Sequence, residues 1–208
     1  MFTYHHTRPA SMVPEGTAVR YHFAIAPVPE DAPQYADGYR FSSHTIAALP
    51  AENPADVLLR IVDEYDSSDS VNSFLLDGAP AWLDKSTRVG LVNSISIEKA
   101  AGRDTSTLWF NGQQLSIPCD VALQLLSSIE LYALACYNIT AAHKAEITRL
   151  GHVFREAQIK YSSLISPNES SEPASQSEMQ SALDAHRSSL QAILSYDFTT
   201  GYPKKLDL

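Results

Sequence analysis

The stretch PCDVALQLLSSIELYALACYNITAAHKAEITRLG, residues 118–151, contains the strongest helical pattern in the chain. A set of mainly apolar side chains in this stretch recurs near the helical period of 3.6 residues, which places these side chains on one face of a helix. Pro118 or Asp120 marks the start of the pattern and Gly151 its stop. The sequence therefore predicts a helix from about Asp120 to Leu150. The residues at this spacing are Ala122, Leu125, Leu126, Ile129, Tyr132, Ala133, Cys136, Ile139, His143, Ile147 and Leu150.

This predicted helix is unusually long for a chain of this size. About thirty residues make ~45 Å of helix at 1.5 Å per residue, which is more than a small domain needs. We therefore expect part of it to pack against another helix or against another copy of the chain. Residues 177–198, SEMQSALDAHRSSLQAILSYDF, are also periodic and predict an antiparallel partner helix. The positions that would face the long helix are Met179, Leu183, His186, Leu190, Ile193 and Leu194.

A polar segment separates the two helical patterns. Residues 166–177, SPNESSEPASQS, consist mainly of serine, proline and glutamate and have almost no apolar side chains. Such a segment cannot bury enough apolar surface to offset the entropy lost on ordering. We therefore expect a mobile connector.

Strands and one short helix are predicted in the N-terminal part. Residues 18–27, AVRYHFAIAP, alternate as in a half-buried strand, and a loop rich in proline leads to a second extended segment around 39–46. In ENPADVLLRIVDEYD, residues 52–66, Asn53 can cap a helix that has Pro54 at its first position. The strand alternation places Val19, Tyr21, Phe23 and Ile25 on one face and Arg20, His22 and Ala24 on the other.

Two β-hairpins are predicted in the middle of the chain. Asp77-Gly78 and Asn111-Gly112 each lie between apolar runs, and both dipeptides accept the positive φ angles of a type I′ turn. Between the hairpins, Asp84 can cap a helix from about Lys85 to Ala101, with Gly102 at its C-terminal end. We expect Val89, Val92, Ile95 and Lys99 to stack along one side of that helix.

Together these elements predict an α+β fold in which N-terminal strands and β-hairpins precede a long helical hairpin. Trp82 and Trp109, one in each hairpin, are interpreted as core anchors rather than as a ligand-stacking pair. Cys119 and Cys136, the chain's two cysteines, are interpreted as buried small apolar residues.

Composition excludes several classes of partner. The chain has 208 residues, 44% of them hydrophobic, and 15 Lys and Arg against 24 Asp and Glu. The resulting formal net charge of −9 opposes binding to a phosphate backbone, so we expect no nucleic-acid partner. The N-terminus lacks the basic stretch and apolar block of a signal peptide, and no run approaches the ~20 apolar residues of a membrane span. We therefore expect cytosolic folding and no membrane partner.

No motif predicts a catalytic, cofactor-binding or metal-binding site. The sequence has no G-x-S-x-G nucleophile motif and neither of the glycine-rich phosphate-binding motifs. His5 and His6 have no acid or cysteine at ligand spacing, and His143 on the long helix is interpreted as a hydrogen-bonded structural histidine. Adjacent carboxylates such as Asp63 and Glu64 point in different directions, which makes an acid–nucleophile pair a poor interpretation.

Three segments carry a resemblance to a known family. They are AWLDKSTRVGLVNSI at 81–95, TLWFNGQQLSIPCDVALQLLSSIELYALACYNITAAHKAEI at 107–147, and LSYDFTTGYPKKL at 194–206. Their marks are an arginine-bearing helix before a tryptophan-containing hairpin, an E-x-Y-A-x-x-C-Y patch at Glu130 to Tyr137, and a closing D-x-x-x-G-Y-P at Asp197 to Pro203. Over about residues 80–208 the chain resembles an uncharacterised domain family of bacteriophage and prophage tail-fibre and tail-fibre-assembly proteins. Unlike members of that family, this chain inserts about thirty-five residues between the long helix and the closing motif.

The resemblance implies a domain at 80–208, preceded by a strand-rich segment at 1–79 that could attach it to a virion. It implies a non-enzymatic virion structural protein, tail- or fibre-associated, that assembles in the bacterial host cytoplasm with other phage structural proteins. The over-long helix predicts that the protein is also a homo-oligomer. The alternative is a tail-fibre assembly chaperone, and a hydrolase acting on host glycans is a distant third. We expect the closing aromatic residues to clasp the helical hairpin of the same chain, and the alternative is a free peptide that docks on another protein. The candidates for the clasp or for partner binding are Trp82, Trp109, Tyr132, Tyr137, Tyr196, Phe198, Tyr202 and Pro203.

Overall fold

The computed structural model describes residues 2–15, 18–28, 38–47, 53–110, 112–166 and 174–208. Most of the predicted loop after the first long strand, most of the predicted connector, and Asn111 lie outside these ranges. Within them the fold is α+β, as predicted. The elements in chain order are β1 (Thr3–His5), β2 (Met12–Glu15), β3 (Ala18–Pro27), β4 (Tyr39–Ala47), α1 (Pro54–Asp66), β5 (Phe74–Leu76), β6 (Ala79–Ala81), α2 (Lys85–Ala100), β7 (Thr105–Phe110), β8 (Gln113–Pro118), α3 (Cys119–Ile165) and α4 (Gln176–Leu194).

The chain forms two compact units. Unit 1 comprises Met1–Glu64 and Ala141–Thr200, and unit 2 comprises Tyr65–Thr140 and Gly201–Leu208. Helix α3 contributes to both units, with its first part in unit 2 and its second part in unit 1. The boundary between 79 and 80 that the sequence suggested falls inside unit 2.

Unit 1 contains a four-stranded antiparallel sheet with the strand order β1-β4-β3-β2. The predicted strand β3 is present, but its regular alternation ends at a bulge after Phe23, where Ala24 has a φ of 50°. His22 was expected on the face opposite Phe23, and it is also buried, with the Phe41 ring 4.5 Å from its imidazole. Its Nδ1 donates a hydrogen bond to the carbonyl of Ala10 at 2.7 Å. Both faces of the sheet are therefore covered at the centre of β3.

Helix α1 begins at its predicted cap, and α4 begins at a cap that lies inside the predicted connector. Asn53 Oδ1 accepts a hydrogen bond from the Ala55 amide at 3.0 Å, so α1 starts at Pro54 as expected. A capping box between Ser175 and Glu178 starts α4, which places Gln176 and Ser177 in the helix and not in the predicted connector. The second part of α3 packs against α4, as predicted, with the Phe154 ring 5.1 Å from the imidazole of His186.

The predicted stop of α3 at Gly151 is wrong. The helix continues through Gly151 to Ile165 and is 47 residues long. Gly151 is buried, and a Cβ atom placed on it would lie 2.7 Å from the Cβ of Ala55 in α1. The missing side chain therefore allows α1 and α3 to approach each other and does not end the helix.

Unit 2 contains the two predicted hairpins, β5–β6 and β7–β8. Asp77 and Gly78 have φ angles of 50° and 75°, and Gly112 has a φ of 79°, as a type I′ turn requires. The hairpins, α2 and the first part of α3 enclose one apolar cluster. Its buried members are Phe74, Ala81, Leu83, Ile95, Leu108, Phe110, Cys119, Ala122, Leu126 and Ile129.

Helix α2 has its predicted ends but not its predicted orientation. Asp84 Oδ1 accepts a hydrogen bond from the Thr87 amide at 2.9 Å, which confirms the N-terminal cap. Arg88 and Ile95 are the buried residues of this helix. Val89 and Val92 were expected to share one side of the helix with Ile95, and they are 59% and 38% exposed. The side of α2 that faces the core therefore includes Ile95 but not these two valines.

One helix among the described residues, α3, is long and apolar enough to cross a membrane by length and composition alone. No run of this kind was expected from the sequence. A third of the most apolar part of α3 is buried inside the protein, where Ala122, Leu126 and Ile129 belong to the core of unit 2. The core helix of a soluble protein can have the same length and apolar composition, so these two properties do not establish a membrane span.

Candidate functional site: an apolar groove in unit 2

A groove of about 830 Å³ runs between α2 and the first part of α3, within unit 2. Apolar and small side chains dominate its walls. Binding sites are typically concave and mainly apolar with a few polar groups, and this groove has that character. Among its lining residues are Val89, Val92 and Ser96 of α2 and Leu126, Ser127 and Leu131 of α3.

The groove is bordered by large apolar side chains that no part of unit 2 covers. Val89 is 59% exposed and Leu131 is 68% exposed. Leu134 and Tyr137 follow Leu131 at helical spacing and are 51% and 68% exposed. The apolar strip along α3 therefore extends beyond the groove by more than one turn.

A charged pair forms part of the groove wall. Arg88 is buried, and its Nε donates to Glu130 Oε2 at 2.6 Å. Its Nη1 donates to the carbonyl of Leu83 at 2.5 Å, and its guanidinium lies 5.4 Å from the centre of the Trp82 ring. These contacts hold the guanidinium in place and neutralise it. The pair therefore links α2 to α3 without giving the groove a net charge.

A second cluster in unit 2 contains three of the predicted candidates. Tyr132 is buried beside Cys136 and Val71, and its hydroxyl donates to the Val71 carbonyl at 3.3 Å. Trp82 and Tyr202 pack against this cluster. Burial, and next the neighbouring Cys136, raise the pKa of Tyr132, and burial raises the pKa of the Cys136 thiol. Both groups are therefore neutral near pH 7, and Cys136 is not an activated nucleophile.

The C-terminal residues pack in both units, up to Thr200 in unit 1 and from Gly201 to Leu208 in unit 2. In unit 2, Tyr202 packs edge-on against Tyr65 with 5.7 Å between ring centres, and its hydroxyl is 2.9 Å from Thr140 Oγ1. The last residues add to the β5–β6 hairpin, because Leu75 donates to the carbonyl of Leu206 at 2.7 Å and accepts from the amide of Leu208 at 2.9 Å. Pro203 is half-buried between these contacts.

In unit 1, Phe198 is fully buried and stacks on Phe2 with 6.0 Å between ring centres. The Tyr196 hydroxyl is 2.8 Å from His143 Nδ1, while His143 Nε2 is 2.9 Å from the carbonyl of Thr200. Because a carbonyl only accepts, Nε2 carries the proton and Nδ1 accepts from the tyrosine. His143 is thus a hydrogen-bonded structural histidine, as expected.

Trp109 does not fit the interpretation as a core anchor. Its side chain is 61% exposed on β7, while its neighbours Leu108 and Phe110 are buried. A strand in which Ser106, Leu108 and Phe110 face the core must direct Trp109 outward. Of the two tryptophans, Trp82 alone packs against the core clusters.

The structure therefore separates the predicted site residues. Trp82, Tyr132 and Tyr202 meet in one cluster of unit 2, Tyr196 and Phe198 lie in unit 1, and Trp109 and Tyr137 are exposed. Sequence reasoning missed the groove itself. The available signal was that α2 is apolar on two sides, with Leu91 and Ile95 on one and Val89 and Val92 on the other.

A more polar cavity of about 550 Å³ lies on the sheet of unit 1, lined in part by Arg20, His22 and His44. Arg20 is paired with Glu15 at 2.6 Å, which neutralises its charge. In the ranges that the structure covers, no group of three or more His, Cys, Asp or Glu side chains could hold a metal ion. The groove in unit 2 is thus the better candidate site.

Comparison with known proteins adds no further constraint on the groove. No family model, no curated protein and no solved structure matches this chain.

Proposed function

We propose that this chain is a non-enzymatic structural protein of a bacteriophage virion, associated with the tail or a fibre, and that it associates with another protein subunit through the groove of unit 2. The observation that carries the proposal is the exposed apolar surface of Val89, Val92, Leu131 and Leu134 on two adjacent helices. Contiguous apolar surface of this kind marks interaction sites because exposing it to water is unfavourable.

The shape of the groove favours a helical segment as its occupant. Two adjacent helices leave a furrow between them that accepts the side-chain ridge of a third helix. An amphipathic helix lying in an apolar groove is a common mode of protein recognition. The small residues Gly90, Ser96 and Ser127 line this furrow, so a helix can approach its floor closely.

The phage assignment is supported by the resemblance of residues 80–208 to tail-fibre and tail-fibre-assembly proteins. Two marks of that resemblance are the arginine on α2 and the patch that begins at Glu130. These two residues form the salt bridge in the groove wall. The resemblance and the candidate binding surface thus depend on the same side chains.

Quantitative mass spectrometry of purified particles tests the proposal. The particles come from the phage or prophage whose genome encodes this chain. We expect the chain at a fixed copy number relative to the major tail protein, and we expect Leu131→Asp to lower that number. Val121→Asp is the matched control, because Val121 is 47% exposed on the same helix and does not line the groove.

Two results would contradict the proposal. If the chain is depleted from particles but needed for their assembly, it is a tail-fibre assembly chaperone. If the particles form normally without it and do not contain it, the virion role is wrong.

A further inference from the structure

We infer that the groove between α2 and α3 is filled by the same surface of a second copy of this chain, so that the protein is a two-fold symmetric dimer through unit 2. This inference deepens the proposed function, and it rests on that function only in treating the groove as a protein-binding surface.

The first support is that the surface is complementary to itself. Leu131 and Leu134 form an apolar ridge on α3, directly beside the furrow that Val89 and Val92 border on α2. A two-fold axis across this surface places the ridge of each copy in the furrow of the other. Symmetric dimers require such a pairing, because the same patch must serve on both subunits.

The second support is the charge of the groove. The chain carries a formal net charge of −9, so two copies repel each other over most approach directions. Of the residues described as lining the groove, only Arg88 and Glu130 are charged, and they pair with each other. Like-charged copies can therefore meet at this surface without bringing unpaired acids together.

The same observation argues against a basic partner. A basic protein would be attracted by acidic side chains, and it would leave its own charges unpaired in an apolar furrow. Glu130 is the acid in the groove wall, and its carboxylate is already paired with Arg88. An uncharged apolar ridge matches the groove better, and the chain itself presents one.

Light scattering coupled to gel filtration tests the inference on the full chain at tens of micromolar. We expect a dimer for the parent chain and for Val121→Asp, and a monomer for Leu131→Asp. The two variants add the same charge to the same helix. A difference in their oligomeric state is therefore due to the position of the new charge and not to the charge itself. Thermal melting by circular dichroism shows whether each variant is folded.

A cysteine variant provides a second measurement that adds no charge. The native Cys119 and Cys136 are buried, so a new thiol at an exposed position reacts selectively. We expect mild oxidation of an equimolar mixture of Leu131→Cys and Val92→Cys to form a covalent dimer much faster than a mixture of Val121→Cys and Val92→Cys, because the ridge of one copy lies in the furrow of the other. Equal rates for the two mixtures would overturn the inference.

A monomeric parent chain would also overturn the inference, as would a dimer that Leu131→Asp leaves intact. These outcomes are separable from failure of the proposed function. A monomer that needs Leu131 to enter particles would show that another virion protein fills the groove, and the proposed function would stand. A dimer formed through Leu131 but absent from particles would support the inference and refute the virion role.

Discussion

Gly151 of α3 lies directly against Ala55 of α1, and a Cβ atom on Gly151 would be 2.7 Å from the Ala55 Cβ. Real Cβ atoms do not approach so closely, so a larger residue at 151 must displace one helix from the other. The obstacle is a short, rigid side chain that cannot rotate away. This contact explains why a glycine lies in the middle of a continuous helix.

Gly151→Ala should therefore destabilise the protein. Overpacking costs about 1–3 kcal/mol, and a clash at 2.7 Å with a rigid Cβ atom falls in the upper part of that range, which exceeds the gain in helix propensity of about 1 kcal/mol. Gly90→Ala on α2 is the matched control, because a Cβ atom placed on Gly90 would have nothing within 4 Å, and it should stabilise by about 1 kcal/mol. Denaturant titration measures the free energy of unfolding of both variants. An increase in the free energy of unfolding for Gly151→Ala would show that the helices are not in contact there.

Arg88→Ala should lower the free energy of unfolding by about 1.5–3 kcal/mol, since hydrogen bonds to charged groups contribute this amount. The change leaves the Leu83 carbonyl without this donor and removes the link between α2 and Glu130. Arg103→Ala is the control, because Arg103 is exposed and pairs with Glu98 on the surface. We expect a loss below about 1 kcal/mol for the control. Equal losses from the two variants would contradict a structural role for Arg88.

Phe198→Ala should cost about 3–5 kcal/mol, the range for truncating a buried phenylalanine. Phe198 is fully buried in unit 1, whereas Trp109 is 61% exposed in unit 2. Trp109→Ala should change the free energy of unfolding by only about 0.5 kcal/mol. Urea denaturation of both variants measures the contrast. If Phe198→Ala is neutral, the tail is not docked on its own chain and is available as a docking peptide.

His186 should make the stability of unit 1 depend on pH. Burial lowers its pKa below 6.5, and its Nε2 has no hydrogen-bond partner among the described residues. The rings of Phe154 and Tyr161 lie 5.1 and 5.9 Å from the imidazole. Below about pH 6.5 the unfolded state binds a proton that the folded state does not, so stability falls as the pH drops toward the folded pKa.

Denaturant titrations between about pH 7.5 and about pH 5 test this expectation, because that interval spans the ordinary pKa of histidine. His186→Phe keeps an aromatic ring in place and removes the titrating group. We expect the variant to lose less stability than the parent chain over the same interval. A variant with an unchanged pH dependence would show that His186 does not contribute.

Sequence alone determined the features that depend on a few neighbouring residues. The caps at Asn53 and Asp84 form as predicted, because each side chain bonds an amide within three residues of itself. The turn at Asp77-Gly78 forms because these residue types tolerate positive φ. The order of strands, hairpins and long helices follows from such signals.

The tertiary structure decided which apolar side of an element meets the core. Helix α2 is apolar on two sides, and periodicity cannot tell that Ile95 is buried while Val89 lines an open groove. Glycine often ends a helix, and the sequence therefore predicted a stop at Gly151. Only the contact with Ala55 shows that this glycine allows two helices to approach each other. Burial depends on which elements lie nearby, and residues distant in the sequence supply those neighbours.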